Sequence, residues 1–400
     1  MQIGKKRIRV LYSFPHKIGA QRICTTAWHQ VEGVAAAGAE VTVYAGSIAR
    51  PLSKDVKLHT TLAWNSWRKL RIPYRLLGIL RACAMHDWLV ARALNTGTVE
   101  ADIVHVWPLA ALRTIQAAKN LGIPTVLERP NAHTRFAYEV VEKECRRLGI
   151  SMPPGHEHAY KPDWLELEEA EYKLTDRILC PSDFVARTFI DQGFSADVIA
   201  RHQYGYDEKT YFPANGTRPE RQGLTMLFVG GCAPRKGLHY ALDAWLQSTA
   251  CKDGTFLIAG EFIPGYAELL SRQLADPSVK VLGHRNDVPD LMRQSDVLVL
   301  PTIEEGSALV TSEARGSGCV LLVSEAAGAI CKDGENALVH HVGDISGLSK
   351  HISTLHEDRA FLQRLRALSL ATVSEATWTA AGKKLVDVYK ETCLTDFKGN

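Results

Sequence analysis

Short apolar runs rich in β-branched residues alternate with longer amphipathic segments through the first half of the chain. The apolar runs predict strands at Arg7–Tyr12, Glu40–Ala45, Ile103–Val106, Thr125–Glu128 and Arg177–Cys180. The segments between them predict helices that include Thr25–Ala37, Ile72–Leu94 and Leu109–Asn120. Alternation of this kind is typical of βαβ units that build a parallel sheet.

The alternation stops over Tyr204–Gly223, where turn-forming and charged residues replace the periodic pattern. A second series of predicted strands follows, at Thr225–Val229, Thr255–Ala259, Val279–Leu282, Val297–Leu300 and Val320–Ser324. Its predicted helices are Leu238–Ser248, Gly265–Ala275, Val288–Gln294, Ser307–Gly316 and the closing amphipathic Thr377–Thr392. We therefore predict an α/β fold in which two doubly wound, Rossmann-like domains, 1–205 and 206–376, face a central cleft.

Ligands of such sheets bind beyond the carboxyl ends of the strands, and one loop there reads "PTIEEGSALVTSE". If a helix begins near Ser307, the backbone N–H groups of Gly306, Ser307 and Ala308 have no partner within the helix. Such N–H groups can bind a phosphate. Glu305 can accept hydrogen bonds from sugar hydroxyls, and Glu313, two turns into the helix, can reach a ribose diol. The alternative is an ordinary loop whose acids are favoured by the helix dipole.

A second loop, "VGGCAPRKG", follows the strand Thr225–Val229. Gly230 and Gly231 let the backbone approach a ligand, and Arg235 and Lys236 can neutralise a diphosphate. A glycine-rich turn with solvated cations is the alternative for this loop alone. The Walker and GxGxxG patterns are both absent. A phosphate-binding loop and a cationic loop at the edge of one sheet together suit a nucleoside diphosphate.

Five segments, in order, resemble motifs of one enzyme family. "EEGSALVTSEARGSG" is similar to the E-x7-E motif, usually "EGFGLPVLEAMACG", and "VGGCAPRKG" is similar to "VGRLxxEKG". The other three are "TDRILCPSDFVARTFIDQGF" with "YGYDEKTYFP", then "KDGENALVHHVGD", and the closing "ATWTAAGKKLVDVY". On these motifs the chain resembles the retaining nucleotide-sugar glycosyltransferases of the GT-B fold, in particular the GT4 family.

The resemblance implies roles for individual residues. Glu305 would contact the transferred sugar, Glu313 the ribose and Lys236 the diphosphate, and "HKIGAQR" would bring Gly19 near the phosphates. His133, in "LERPNAHT", is the candidate for the family's catalytic-site histidine. The predicted catalytic residues are His133, Glu305 and Lys236, and the predicted donor-binding residues are Gly19, Gly230, Gly231, Arg235, Lys236, Gly306, Ser307, Ala308, Leu309 and Glu313.

The chain also departs from the family pattern. Gly231 stands where the family has an arginine, so one phosphate clamp is missing, and Arg235 is the candidate to replace it. The second glycine of the N-terminal loop is Ala20, and "GSALV" stands in place of "GFGLP". The family's "HD" is absent after Thr125–Glu128, where Glu128 and Arg129 are also expected at the cleft.

The resemblance further implies a helix, 377–400, that returns to the N-terminal domain, and catalysis without metal or cofactor. No D-x-D motif is present, and "GHEH" at Gly155–His158 is interpreted as a surface loop that leads into an acidic helix. The formal net charge is only +3, which argues against nucleic acid as the main partner. The nine cysteines are irregularly spaced and are expected to be free thiols.

The stretch Trp64–Arg81 interleaves basic and aromatic residues and contains no acid. This composition suits an anionic membrane surface, although a core-facing helix with a solvated basic face explains it as well. No apolar run approaches the ~20 residues that span a bilayer. We expect a cytoplasmic protein with possible peripheral contact at the inner face of the membrane.

The function expected from the sequence is transfer of a hexose, with retention of the anomeric configuration, from a UDP- or GDP-sugar to an acceptor hydroxyl. The acceptor would be a glycan, a lipid-linked saccharide or a small molecule, as in polysaccharide biosynthesis. A nucleotide-sugar epimerase or a sugar phosphorylase is the nearest alternative within the fold. A catalytically silent GT-B binding subunit is the alternative from a different class. A NAD-dependent oxidoreductase is disfavoured, because its fingerprint is absent.

Overall fold

The structure is a computed structural model that describes residues 7–64, 70–71, 77–156, 158–214 and 223–395. Its N-terminal sheet has seven parallel strands in the order β3-β2-β1-β4-β5-β6-β7. They are β1 (Arg9–Ile18), β2 (Glu40–Ile48), β3 (Lys57–Thr60), β4 (Ile103–Val106), β5 (Thr125–Glu128), β6 (Arg177–Cys180) and β7 (Ile199–Arg201).

Helices cover both faces of this sheet, as its buried apolar strands require. They are α1 (Ile23–Ala36), α2 (Ile79–Asn95), α3 (Leu112–Asn120), α4 (Thr134–Leu148), α5 (Pro162–Leu174) and α6 (Asp183–Asp191). One apolar cluster packs α1 against β1 and β2, and a second packs α2, α3 and α6 against the opposite face. A two-residue antiparallel pair, Ala63–Trp64 with Leu70–Arg71, lies apart from the sheet.

The C-terminal sheet has six parallel strands in the order β10-β9-β8-β11-β12-β13. They are β8 (Thr225–Val229), β9 (Thr255–Ala259), β10 (Val279–Gly283), β11 (Val297–Leu300), β12 (Val320–Ser324) and β13 (Ala337–His340). The helices are α7 (Leu238–Gln247), α8 (Tyr266–Leu269), α9 (Ser271–Leu274), α10 (Val288–Gln294), α11 (Leu309–Gly316), α12 (Ile345–Glu357) and α13 (Arg359–Thr372).

The last helix, α14 (Trp378–Thr395), returns to the N-terminal domain. It packs against α1, where Gly33 and Gly382 bring the two backbones together so closely that a Cβ on either would meet the other helix. Its Leu385 and Tyr389 are buried in the N-terminal core. The return predicted from the resemblance is therefore present in the structure.

The chain crosses between the domains at two adjacent segments. Tyr206 pairs with Thr377 in a parallel bridge, and the Tyr206 amide donates to the Ala376 carbonyl over 3.0 Å. A Cβ on Gly205 would overlap the backbone of Trp378. The two crossings therefore form one narrow connection between the sheets.

Several elements differ from the prediction. β1 continues to Ile18 instead of ending at Tyr12, because its later residues pair with Ser47 and Ile48 of β2 after a bulge. α11 begins at Leu309, two residues after the predicted start. The part of the chain that the structure describes contains no helix long and apolar enough to cross a membrane. Residues 65–69 and 72–76, central to the predicted membrane-contacting stretch, lie outside the described residues.

Candidate active site

Two loops of the C-terminal sheet meet beyond the carboxyl ends of β8 and β11. The Ile303 amide and the Thr302 hydroxyl both donate to the Arg235 carbonyl, over 2.9 and 2.8 Å. Gly237 (φ 68°) packs directly on Pro301, where a Cβ would overlap the proline carbonyl. Backbone contacts therefore fix the loop that carries Arg235 and Lys236 against the loop that carries Glu305.

Lys236 and Glu305 form an ion pair at this junction. Nη1 of Arg235 lies 3.1 Å from Oε2 of Glu305, so both cations approach one carboxylate. Burial alone would raise the pKa of Glu305, but Arg235 and Lys236 lower it to about 2. Burial lowers the pKa of Lys236 against the opposing effect of Glu305. The structure thus brings two of the predicted catalytic residues into direct contact.

Arg235 is held mainly by the neighbouring acid, Glu304. Its Nη1 donates to the Glu304 carbonyl (2.8 Å) and to the Glu304 carboxylate (3.3 Å). The same carboxylate accepts the amide of Ala132 from the N-terminal domain over 3.1 Å. Arg235 and Glu304 are both buried, so this guanidinium is already neutralised. Lys236 is consequently the better placed of the two cations to meet a diphosphate.

The loop around Gly306 also touches the N-terminal domain. A Cβ on Gly306 would overlap the Pro130 carbonyl, and the Ser182 hydroxyl donates to the Gly306 carbonyl over 2.5 Å. On the far side, Gly328 packs on the same carbonyl. Gly306 thus allows the backbones of the two domains to pack closely together. This role is additional to the phosphate contact predicted for it.

The amides at the start of α11 differ from those expected. The Ala308 amide donates to the Ala327 carbonyl over 3.1 Å, so it is already bonded. Since the helix begins at Leu309, the amides of its first turn, Leu309 and Val310, have no carbonyl one turn earlier in the helix to accept them. The backbone amides of α11 that can bind a phosphate are therefore those of Leu309 and Val310, which come later in the sequence than the predicted ones.

Glu313 lies in α11, and the Tyr211 hydroxyl is close enough to influence its ionisation. Burial raises the pKa of the Glu313 carboxyl to about 7, against the opposing effect of Tyr211. Burial and Glu313 in turn raise the pKa of Tyr211. Tyr211 belongs to the "TYFP" of the connecting segment, which had been assigned no site role.

The pKa of Glu313 predicts a pH-dependent affinity for a nucleoside diphosphate. An ionised carboxylate accepts both ribose hydroxyls, and with a pKa near 7 about 10% is ionised at pH 6 and about 90% at pH 8. UDP should therefore bind up to about tenfold more tightly at pH 8 than at pH 6, measured by calorimetry. Because the phosphate of UDP also titrates, Glu313→Gln is the control. Equal pH dependence in both proteins would contradict the role of Glu313.

Gly230 and Gly231 end β8, and a Cβ on either would meet no atom within 4 Å. Gly230 has φ 147°, in the region that favours glycine, whereas Gly231 is not in the left-handed region. Gly231 is exposed, so the position that holds an arginine in the family has room for one here.

Gly231→Arg is therefore expected to fold normally and to tighten UDP binding by about tenfold, the scale of one charged hydrogen bond. Calorimetry with UDP measures the gain, and Gly231→Ala, which adds no charge, should leave the affinity unchanged. A Gly231→Arg protein that binds UDP no better than the Ala variant would show that this glycine does not face the diphosphate.

Gly19 follows β1 with φ 77°, and a Cβ there would crowd the Cβ of Arg50 and the Trp28 ring. Its amide donates to the Cys24 carbonyl over 2.8 Å. The loop is therefore tightly folded against β2 and α1. The donor contact expected of Gly19 stays a prediction, since the contacts of this glycine are with its own domain.

His133 is buried in the N-terminal domain, one residue after Ala132, whose amide donates to Glu304. Its ring packs against Tyr172, Phe189 and Phe194, with ring centroids 5.2, 4.9 and 5.8 Å away, and the residue is 2% exposed. Its Nδ1 accepts the Arg135 amide, which caps α4. Burial, Arg129 and Arg135 lower its pKa to about 3.

Glu128 and Arg129 are likewise interior. Glu128 accepts hydrogen bonds from Gln30 and Tyr204, both over 2.8 Å, and lies 3.0 Å from His202 and 3.4 Å from His105. Arg129 bonds to the Ala132 carbonyl and to Glu168. Glu128 is enclosed in the N-terminal domain, whereas Arg129 bonds to Ala132, whose amide donates to Glu304 of the other domain, so Arg129 lies beside the junction of the domains.

His158, on the loop between α4 and α5, is half-buried within electrostatic range of the ion-pair cluster. Burial lowers its pKa to about 2, and Arg235, Glu305 and Lys236 are among the charges that act on it. Its ring lies 5.6 Å from that of His156. The "GHEH" segment was its only signal in the sequence, and that segment was interpreted as a surface loop.

Two family models match the chain. "Glycosyltransferase Family 4" covers residues 25–208, and "Glycosyl transferases group 1" covers residues 223–358. Solved structures match over nearly the whole chain: sucrose-phosphate synthase from Thermosynechococcus elongatus (TM-score 0.68, 17% identity, 98% of this chain and 100% of that one) and Anabaena HepE in complex with UDP (TM-score 0.65, 16% identity, 96% and 100%).

The chain has the GT-B fold. The ion pair of Lys236 and Glu305 lies where the two GT-B domains meet. Among curated proteins, a galactosyltransferase of Escherichia coli that uses UDP-Gal and α-D-GlcNAc-diphosphoundecaprenol is 26% identical over 61% of this chain. LpsE of Rhizobium meliloti, a lipopolysaccharide core glycosyltransferase, is 23% identical over 48%. The alignments span 63% and 58% of those relatives. The matches support a glycosyltransferase.

Proposed function

We propose that this GT-B protein is a retaining glycosyltransferase that moves a hexose from a nucleotide sugar, a UDP-sugar by preference, to an acceptor hydroxyl. The observation that carries the proposal is the contact of Lys236 with Glu305 beyond β8 and β11, near the helix that bears Glu313. A cation for the diphosphate, an acid for the sugar and an acid for the ribose are thus held on one sheet. The UDP complex of HepE, a similar fold, supports the donor class.

The reaction breaks the bond between the anomeric carbon and the diphosphate oxygen, and forms one from that carbon to the acceptor oxygen on the same face. The leaving diphosphate gains negative charge, which Lys236 and the first-turn amides of α11 stabilise. The departing phosphate accepts the proton of the acceptor hydroxyl, so the chain needs no dedicated base. Glu305 then orients the sugar once the diphosphate has displaced it from Lys236.

His158 would supply a histidine from the N-terminal side of the cleft. Its low pKa leaves it neutral near pH 7, so it donates or accepts a hydrogen bond but carries no charge. His133 would need to leave its aromatic pocket to take this part, because three rings pack against it. We therefore assign the position of the site histidine to His158.

The acceptor we propose is a lipid-linked saccharide, as in the synthesis of surface polysaccharides. The Escherichia coli relative is named for a diphosphoundecaprenol-linked acceptor, and the Rhizobium meliloti relative for the lipopolysaccharide core. We also propose that transfer needs no metal, because the resemblance implies this and the chain has no D-x-D motif.

The test incubates the protein with labelled UDP-galactose, UDP-glucose or GDP-mannose, with and without a synthetic GlcNAc-diphospholipid, in the presence of EDTA. Label should enter the lipid from one UDP-sugar, and the new linkage should keep the anomeric configuration of the donor. Conversion of the donor to its epimer without acceptor would identify an epimerase instead. Donor binding without transfer or hydrolysis would identify a silent binding subunit.

A further inference from the structure

A second cavity lies between the two domains, outside the set of predicted donor-binding residues. It is an open pocket of about 370 Å³. On the N-terminal side it is lined by the start of α6 and the end of β7, on the C-terminal side by the residues after β12, and at one edge by α14. None of the residues proposed to bind the donor lines it. A ligand of this pocket would therefore be distinct from the nucleotide sugar.

The pocket is nevertheless in contact with the loop that carries Glu305. Ser182 and Gly328 both line the pocket, and both pack on the Gly306 carbonyl, one by a hydrogen bond and the other by close backbone approach. A ligand held between these two residues thus lies behind the Glu305 loop. Occupation of the pocket would act on the candidate active site through one carbonyl.

Three cations line the pocket, Arg187 from α6, Arg201 from β7 and Lys384 from α14. Only Arg201 has a carboxylate partner, Asp183 at 2.8 Å. Lys384 lies 3.4 Å from the amide oxygen of Gln203, and no described residue forms an ion pair with Arg187 or Lys384. Burial and the neighbouring Arg201 lower the pKa of Lys384 against the opposing effect of Asp183.

Within the part of the chain that the structure describes, the acids of the pocket form no ion pair with these two side chains. Asp183 is bonded to Arg201, and Glu325, on the opposite wall, lies 3.2 Å from His341. Arg187 and Lys384 are both exposed, and they line the same pocket from different helices without an ion pair among the described residues. Several cations along one cavity suit an anionic ligand such as a phosphate.

His202 adds a buried polar atom to the same wall. The residue is completely buried and lines the pocket, and its Nε2 lies 3.0 Å from a Glu128 oxygen. Neither ring nitrogen makes a hydrogen bond of normal geometry within the described residues. A polar group of a ligand in the pocket can therefore hydrogen-bond with this ring.

We propose that this pocket is a second ligand site, which binds the phosphate group of a hydroxyl-bearing molecule such as a sugar phosphate. Arg187 and Lys384 would neutralise the phosphate, and the His202 ring would hydrogen-bond with a polar group beside it. The same chemistry belongs to a phosphorylated saccharide that serves as acceptor and to a soluble sugar phosphate that acts as effector. The experiment below has an arm for each.

The binding arm titrates glucose 1-phosphate, inorganic phosphate and methyl glucoside into the wild-type protein by calorimetry. Glucose 1-phosphate should bind more tightly than inorganic phosphate, and methyl glucoside should show no binding. The double variant Arg187→Ala/Lys384→Ala should bind glucose 1-phosphate about 100-fold more weakly, about tenfold for each cation. Arg272→Ala/Lys350→Ala, which removes two exposed cations elsewhere, is the matched control and should bind like wild type.

Lys236→Ala separates this site from the donor site. The proposal requires that Lys236→Ala keep the binding that Arg187→Ala/Lys384→Ala loses. Loss in Lys236→Ala alone, or equal affinity in wild type and the double variant, would overturn it. Arg187→Lys/Lys384→Arg keeps both charges and should retain binding within a few-fold, which excludes misfolding as the cause of any loss.

The second arm distinguishes the two sources and rests on the proposed function. The protein is incubated with a UDP-sugar and glucose 1-phosphate, and the products are weighed by mass spectrometry. A product heavier than glucose 1-phosphate by one hexosyl residue identifies an acceptor. A changed rate of UDP-sugar hydrolysis with glucose 1-phosphate intact identifies an effector. If neither occurs while binding persists, the pocket binds phosphate without a part in transfer, and the proposed function, which is tested with a lipid-linked acceptor, is unaffected.

Discussion

Lys236→Ala is expected to lower the turnover of sugar transfer by at least ~100-fold, the scale of losing one positioned charge-stabilising group. Lys236 pairs with one carboxylate, that of Glu305, whereas Arg235 contacts both Glu304 and Glu305, so Lys236 is the cation that a diphosphate more readily takes from its partner. The variant should also weaken UDP binding, since the same ammonium meets the diphosphate in the ground state. Initial rates with a saturating UDP-sugar, together with calorimetry of UDP, measure both effects.

Lys350→Ala is the matched control for this variant, because Lys350 is exposed on α12 and forms no ion pair among the described residues. It should retain wild-type turnover and UDP affinity. Because Lys236→Ala removes one partner of a buried ion pair, its unfolding temperature is measured alongside. A folded Lys236→Ala protein with near wild-type turnover would remove Lys236 from the site.

Glu305→Gln is expected to lower turnover by at least ~100-fold as well, but to change UDP binding in the opposite direction. In the free protein Glu305 holds Lys236, so it competes with the diphosphate for the same ammonium. Removing its charge frees Lys236 and should tighten UDP binding. The sugar loses the carboxylate that orients it, so transfer falls while the nucleotide binds better.

This opposite pair of effects separates Glu305 from a residue that only supports the fold, whose loss would weaken both binding and turnover. Glu268→Gln, at an exposed position on α8, is the control and should change neither quantity. If Glu305→Gln binds UDP more weakly than wild type, the competition between Glu305 and the diphosphate does not exist. If its turnover is unchanged, Glu305 does not contact the transferred sugar.

The strands that the sequence located best are those with continuous apolar runs between turn residues. β4, β5, β6, β8, β9, β11 and β12 have the bounds that the pattern predicts. β3 and β7 were not predicted because KLHT and IAR contain only one and two apolar residues. β13 was missed although it is as long as β4 and its first three residues are apolar. The end of β1 was missed because its pairing with β2 resumes after a bulge, which local pattern does not show.

The sequence predicted part of the site, namely which loops lie together. The loops after β8 and β11 could be placed on one sheet, since strand order brings their carboxyl ends together. The sequence could not show which of the adjacent acids, Glu304 or Glu305, each cation would contact. That choice depends on the Ala132 amide, which reaches Glu304 from the other domain.

The histidine shows the limit of reasoning along the chain. His133 and His158 both lie in loops of the N-terminal domain, and nothing in the local pattern separates them. The aromatic rings that enclose His133 come from Tyr172, Phe189 and Phe194, which follow it by about 40 to 60 residues in sequence. Burial set by such distant contacts appears only when the domain is assembled.

Donor binding tests the central claim most directly, because it needs neither an acceptor nor turnover. Thermal unfolding is measured with UDP, GDP, ADP and dTDP for the wild-type protein and for Lys236→Ala. We predict that UDP at ~100 times its Kd stabilises the wild-type protein by about 2.7 kcal/mol, and that Lys236→Ala loses most of this gain. Stabilisation by none of the four nucleotides, or equal stabilisation of both proteins, would contradict the assignment of the nucleotide site to Lys236 and Glu305.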